Sequence, residues 1–298
     1  MSKYRVWLLL VLCNLFWAGN YVFGKFVVSE MTPVGLTFTR WLFASVILLG
    51  IARFWEKPQW REVLRNWPSL LGLAVFGIAA YNSLLYYALN FTSPTNASLV
   101  NSLNPGLIAV VSALYLREKV SRIQGLGIAV SFLGVLVIMT KGNLLQVFAM
   151  QFNAGDLLMI LAVAAWTIYS MIGRKLTAVP PITSTALSGM IAAVIMAPFA
   201  LSQGLDLSNL STVAAAGVAY ITIFPSVCSF IFWNMGVREI GASKAGVFLN
   251  LNPVFTAAMS WALGQKITSV QILGGLLVFL GVYITTGMNR KRAPLRAL

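Results

Sequence analysis

The sequence predicts an all-α membrane protein of ten transmembrane helices, built as two inverted five-helix repeats. Three observations predict it. Of 298 residues, 59% are hydrophobic and 9% charged, whereas water-soluble chains run about 45–50% apolar and about 25% charged. Apolar runs near the roughly 20 residues needed to cross about 30 Å of hydrocarbon recur ten times. The chain also matches itself at an offset of 147 to 149 residues, and no other feature divides ten crossings so evenly.

Taken in order, the first run (5–24) follows Lys3 and Arg5. It is not a secretion signal, because apolar character resumes through Tyr21-Val22-Phe23 after Ala18-Gly19-Asn20. The second (33–53) opens on Pro33, and Arg53, Lys57, Arg61 and Arg65 separate it from the third (67–89). The fourth (94–116) ends at an L-x-E-K turn, Leu116 to Lys119, before a Gly-rich fifth (121–140). The sixth (154–173) starts beside Asn153, Gly155 and Asp156, where an N-terminal cap explains the carboxylate. Arg174 and Lys175 precede the seventh (181–202), and Arg238 and Lys244 lie between the eighth (210–236) and the ninth (243–264). Lys266-Ile267-Thr268 leads into the tenth (268–289). Helices are expected over a β-barrel because Leu126 to Met139 and Ile272 to Ile284 are apolar on every face apart from Gly and Ser.

A cytoplasmic N-terminus puts 17 of the 21 basic residues inside, leaving Lys25, Lys141 and Lys266 outside and Arg40 within a helix. That bias is the positive-inside signature of a plasma-membrane protein with both termini cytoplasmic. The net charge of +14 is therefore topological; no nucleic-acid partner is expected, and the cluster at 290–292 suits anionic lipid. The chain has no histidine, which excludes a Ser-His-Asp triad, a Cys-His pair and an HExxH zinc site. Cys13 and Cys228 lie in apolar runs and read as small hydrophobes. No enzyme activity, metal or cofactor is expected.

The repeat is specific. Leu103-Asn104-Pro105 recurs as Leu251-Asn252-Pro253; Trp17, Gly24 and Lys25 match Trp166, Gly173 and Arg174; Lys119-Val120-Ser121 with Gln124, Gly127 and Gly134 match Lys266-Ile267-Thr268 with Gln271, Gly274 and Gly281. The halves are 1–141 and 142–298. An odd number of crossings per unit makes the second copy enter from the opposite side, which is a transporter's geometry with substrate near the midplane. The Trp in the first helix, Pro33 then Arg40 around the second, the Asn-Pro in the fourth and the L-x-E-K turn together resemble the EamA-type ten-helix branch of the drug/metabolite transporter superfamily. The resemblance covers 7–139 and 155–287. It implies an exporter of metabolites, and overall likeness is greatest to the YddG-type exporters of aromatic amino acids. The second copy departs from the pattern: Gln265 stands where Glu118 does, and no Arg answers Arg40.

Candidate substrate-binding residues are the polar and aromatic groups expected at midplane depth. Trp17, Tyr81, Tyr86, Trp166, Tyr169 and Trp233 can wall a cavity and stack on a ligand. Asn20, Asn82, Ser98, Asn101, Ser102 and Asn250 can donate and accept, and so serve both ends of a zwitterion. Asn104-Pro105 and Asn252-Pro253 are candidate hinges, since proline takes an N–H from the carbonyls of Asn101 and Leu249. Trp7, Trp41, Trp55 and Trp67 read as interfacial anchors. Arg40 lies about 10 Å along its helix from Pro33 and needs a compensating group: a substrate carboxylate or gate on one reading, Glu30 or a helix C-terminus on the other. The expected partners are a small-molecule substrate and the lipid bilayer, with the chain a monomer in the bacterial inner membrane. The glycines at 127, 134, 274 and 281 predict close packing of helix five on helix ten.

Overall fold

The computed structural model describes residues 3–115, 117, 120–140, 142–145, 153–205, 207–262, 264 and 268–286. The residues expected to form the Leu116 to Lys119 turn, other than Arg117, lie outside them, as do 265–267 and the basic tail at 290–292. Ten helical spans are present among the described residues: α1 (Lys3–Val27), α2 (Pro33–Trp55), α3 (Trp67–Phe91), α4 (Pro94–Asn101 and Asn104–Tyr115), α5 (Arg122–Met139), α6 (Ala154–Lys175), α7 (Pro181–Ser202), α8 (Thr212–Ile240), α9 (Ala242–Gly246, Val247–Asn250 and Leu251–Ala262) and α10 (Ser269–Thr286). Seven are long and apolar enough to cross a bilayer by length and composition. A short helix that was not expected, Trp60–Arg65, joins α2 to α3 and leaves Trp55, Trp60 and Trp67 exposed, as suits side chains at a lipid headgroup.

Helix starts follow capping chemistry. Pro33 occupies the first position of α2, and Thr32 Oγ1 accepts from Gly35 N at 3.1 Å, a place where proline's missing N–H costs nothing. Ser121 with Gln124 and Asn153 with Asp156 form reciprocal capping boxes. Two carboxylates cap at a distance: Glu56 accepts from Ile182 N at 2.8 Å and Thr183 N at 2.6 Å at the start of α7, and Glu30 accepts from Ser211 N at 2.8 Å and Ser211 Oγ at 2.7 Å at the start of α8. The Ser211 N–H, and secondarily its hydroxyl, hold the Glu30 carboxyl below its usual value. Because the folded pKa is depressed, this cap contributes above the unfolded carboxylate range and is lost as pH falls through the folded value. Protection factors at Ser211 to Ala214, corrected for intrinsic exchange, should therefore fall on acidification relative to neighbouring helices, and show no such fall in Glu30→Gln.

The repeat governs the packing. α5 makes its most extensive contacts with α10, α2 with α7, α3 with α6 and α1 with α8, each pairing consistent with an axis exchanging the two copies. A Cβ on Gly134 would sit 2.6 Å from Gly274 O, and one on Gly127 would sit 2.7 Å from Gly281 O. Contact therefore moves down α10 as it moves up α5; the copies run antiparallel and the repeat is inverted. Gly134→Ala should lower the thermal midpoint in detergent, at a cost of about 1–3 kcal/mol from overpacking. Gly125→Ala, which meets open space, should leave it unchanged or raise it slightly.

Finer features repeat too. Lys25, at the end of α1, donates to Leu89 O and, at 3.4 Å, to Thr92 O at the end of α3. Its match Arg174, at the end of α6, donates to Arg238 O at 2.9 Å at the end of α8. Each cation thus binds the carbonyls that a helix C-terminus leaves free. Both α3 and α8 widen into a π-helical stretch, Leu73–Ala80 and Thr222–Cys228, and both α4 and α9 are interrupted before their Asn-Pro.

Candidate substrate-binding site

Two layers of side chains fill the centre between the repeats. The polar layer is organised by Arg40, which is 1% exposed. Its Nε donates to Ser226 Oγ at 2.8 Å, and one terminal nitrogen, Nη1, donates to Asn20 Oδ1 and Asn82 Oδ1, both at 3.1 Å, and to the Tyr86 hydroxyl. Tyr86 in turn donates to Asn20 Oδ1 at 2.7 Å. The π stretches deliver the partners on α3 and α8. A wide turn re-aims the side chains beyond it, and Asn82 holds the first one by donating to Gly77 O at 3.3 Å and Ile78 O at 2.8 Å. In the second, around Pro225, Ser226 Oγ donates back to Ile221 O at 2.8 Å while accepting from Arg40. No described carboxylate meets Arg40: Glu30, one of its expected partners, caps α8 instead.

The aromatic layer lies one turn of α1 closer to the face that carries the chain ends. Trp166 is its hub, with ring centroids at 5.1 Å from Trp17, 4.9 Å from Tyr81, 4.8 Å from Tyr169 and 5.5 Å from both Phe230 and Trp233. The four rings of α6 and α8 in this group are buried, as is Trp17. Trp17 Nε1 donates to Pro225 O at 3.2 Å, whereas Trp166 Nε1 and Trp233 Nε1 are buried without a partner. Between the layers Tyr81 OH donates to Asn101 Oδ1 at 3.4 Å, and Asn104 Nδ2 donates to the same oxygen at 2.8 Å. That arrangement leaves Asn101 Nδ2 and Asn104 Oδ1 unpartnered.

Of the residues singled out in the sequence, Asn20, Asn82, Tyr86 and Arg40 thus meet in one cluster, Trp17, Tyr81, Trp166, Tyr169 and Trp233 in a second, and Asn101 with Asn104 at their edge. Others lie elsewhere. Ser98 and Ser102 spend their hydroxyls on Thr95 O at 2.8 Å and Leu99 O at 2.5 Å of their own helix. Asn250 donates to Ser131 Oγ on α5 at 2.9 Å. Pro105 and Pro253 sit in the first turn of a new helical segment, so the chain breaks ahead of each proline and does not bend around it. Trp41, expected at an interface, is fully buried with its ring 4.6 Å from Phe230. Ser226, Phe230 and Tyr21, whose hydroxyl lies 3.4 Å from that of Tyr81, escaped sequence reasoning; a Pro-Ser pair inside an apolar run was the available signal for the first.

A second Tyr–Asn pair mirrors the first. Tyr169 OH donates to Asn234 Oδ1 at 3.0 Å, and Asn234 Nδ2 donates to Thr185 Oγ1 at 2.8 Å. Tyr169 is the repeat counterpart of Asn20 and Asn234 that of Tyr86, so the residue types are exchanged between helices while the bond is kept. Gly189 stands in place of Arg40.

A bundle of two inverted five-helix repeats, closed around a buried polar and aromatic centre, defines a multi-pass membrane transporter. The chain belongs to the EamA-like transporter family, which matches residues 5–140 and again 153–287. It is 30% identical to the uncharacterized transporter YyaM of Bacillus subtilis over 97% of this chain and 96% of that one. It is 31% identical to an uncharacterized transporter of Archaeoglobus fulgidus, over 95% and 98%. A solved crystal structure has the same fold, with a TM-score of 0.78 at 19% identity over 98% of this chain and 100% of the other.

Proposed function

We propose that the protein exports small amphipathic metabolites, aromatic amino acids foremost, by alternating access around the centre between its two repeats. The observation that carries this reading is the ring cluster around Trp166, joined to the unpartnered amide atoms of Asn101 and Asn104. A ligand ring can replace one aromatic contact with another at centroid separations of about 4.5–7 Å, and a zwitterion can satisfy a free donor and a free acceptor together. Export of organic cations is the rival reading. It calls for a buried anion at the centre, where the described charge is the cation Arg40. The excess of basic residues on the terminus-bearing face supports an inner-membrane protein with cytoplasmic ends, and the chain is read as a monomer.

The test is flux through liposomes containing the purified protein, with and without a pH step. Labelled Phe, Tyr or Trp should equilibrate faster than in empty liposomes, saturably and with trans-stimulation. Equal rates for a broad metabolite panel would sink the substrate assignment, and a non-saturating flux would point to a passive channel.

A further inference from the structure

We propose that the free Nη2 of the Arg40 guanidinium is an anion subsite that takes the carboxylate of the transported molecule, on one half of the inverted repeat only. The inference rests on the transporter reading above but not on an aromatic substrate. A guanidinium offers five N–H groups in a planar fork and keeps its charge. Here Nε and Nη1 are bound to Ser226, Asn20, Asn82 and Tyr86, all of them neutral, while Nη2 has no hydrogen-bond partner among the described residues. The group is therefore held through two of its three nitrogens by partners on α1, α3 and α8, and carries a full positive charge that no described carboxylate answers. Buried charges are ordinarily paired, and the N–H groups left on Nη2 can give a carboxylate a charge-assisted hydrogen bond.

Spacing supports the same occupant. Asn20 is three residues beyond Trp17 on α1, a rise of about 4.5 Å. Tyr81, whose ring contacts Trp166, is the neighbour of Asn82. A carboxylate on Arg40 thus leaves the rest of a small amino or organic acid at the level of the ring cluster. The mirror position offers no such grip, because Gly189 stands there and the Tyr169–Asn234–Thr185 cluster is neutral.

The full chain, purified in detergent, is titrated with phenylalanine against phenylalaninamide, and leucine against leucinamide, following tryptophan fluorescence. Wild type should bind the acid of a pair on the order of tenfold to a hundredfold more tightly than the amide, the worth of a charge-assisted hydrogen bond. In Arg40→Gln that ratio should fall to about one with the amide's affinity little changed, and Arg40→Lys should fall between. A ratio near one in wild type, a ratio retained in Arg40→Gln, or no binding by any acid overturns the proposal. The wild-type ratio decides even where a variant fails to fold. A variant that loses thermal stability yet keeps the ratio would make Arg40 a cross-brace between α1, α2, α3 and α8. Equal affinity for leucine and phenylalanine with the ratios intact leaves the subsite standing and removes the aromatic preference. Phenylalanine bound tightly with no dependence on Arg40 does the reverse.

Discussion

Trp166→Ala should lower the unfolding free energy by about 3–5 kcal/mol, the usual cost of emptying a large buried aromatic site, and should abolish saturable transport. The magnitude follows from position. The ring is 2% exposed and touches rings from α1, α3, α8 and its own helix, so its removal opens a space between the repeats that no single neighbour can fill. Each ring contact is worth about 0.5–1.5 kcal/mol beyond area burial, and five of them converge here. Trp166→Phe separates packing from hydrogen bonding. It keeps a ring but removes the unpartnered Nε1, so it should retain most of the stability, and any loss of transport then reports a bond from that nitrogen to substrate. Thermal unfolding in detergent and liposome flux measure the two effects. An alanine variant that transports at the wild-type rate would remove the ring cluster from the pathway.

The sequence carries the parts of the fold that depend on one helix at a time. Charge sidedness, ten apolar runs and the matched Gly127/Gly134 and Gly274/Gly281 are properties of periodicity and composition, and the α5–α10 contact follows from them because small residues alone admit backbones that close. The π stretches are another matter. Leu73–Ala80 is apolar throughout and has no proline; its wide turn is held by Asn82 and by the Tyr169 ring packed where Gly77 has no side chain. Nothing local announces it. The same is true of the Arg40 cluster, whose bonds span up to 186 residues; sequence shows that a buried arginine needs partners and not which asparagines serve. The setting of Asn250, which the sequence marks only as a donor and acceptor near midplane depth, also depends on backbone geometry. The 3₁₀ turn over Val247–Asn250 has a different twist from an α-helix, and Asn250 ends up facing Ser131 on α5.

Asn234→Leu should open the terminus-bearing face. In the structure Asn234 accepts from Tyr169 and donates to Thr185, tying α8 to α6 and α7 below the ring cluster. Its mirror, Tyr86 with Asn20, is reinforced by Arg40, so the two closures differ in strength and the neutral one is the weaker. Leucine leaves the buried Tyr169 hydroxyl without its partner, at about 1–3 kcal/mol when closed, while the Thr185 hydroxyl keeps its bond to Pro181 O at 2.8 Å; an open, hydrated vestibule solvates the Tyr169 hydroxyl. A differential of about 2 kcal/mol shifts the closed-to-open ratio roughly thirtyfold. Cys13 reports it. The thiol is buried on α1 against Ser229, donating to Ser229 O at 3.3 Å, and lies on the terminus side of Trp17. In a Cys228→Ser background, a water-soluble maleimide should label Cys13 faster in Asn234→Leu than in the parent, and Tyr86→Phe should not accelerate it. Equal acceleration by both variants would mean general loosening of the bundle. No acceleration by Asn234→Leu would mean that the Tyr169–Asn234–Thr185 cluster does not hold that face shut.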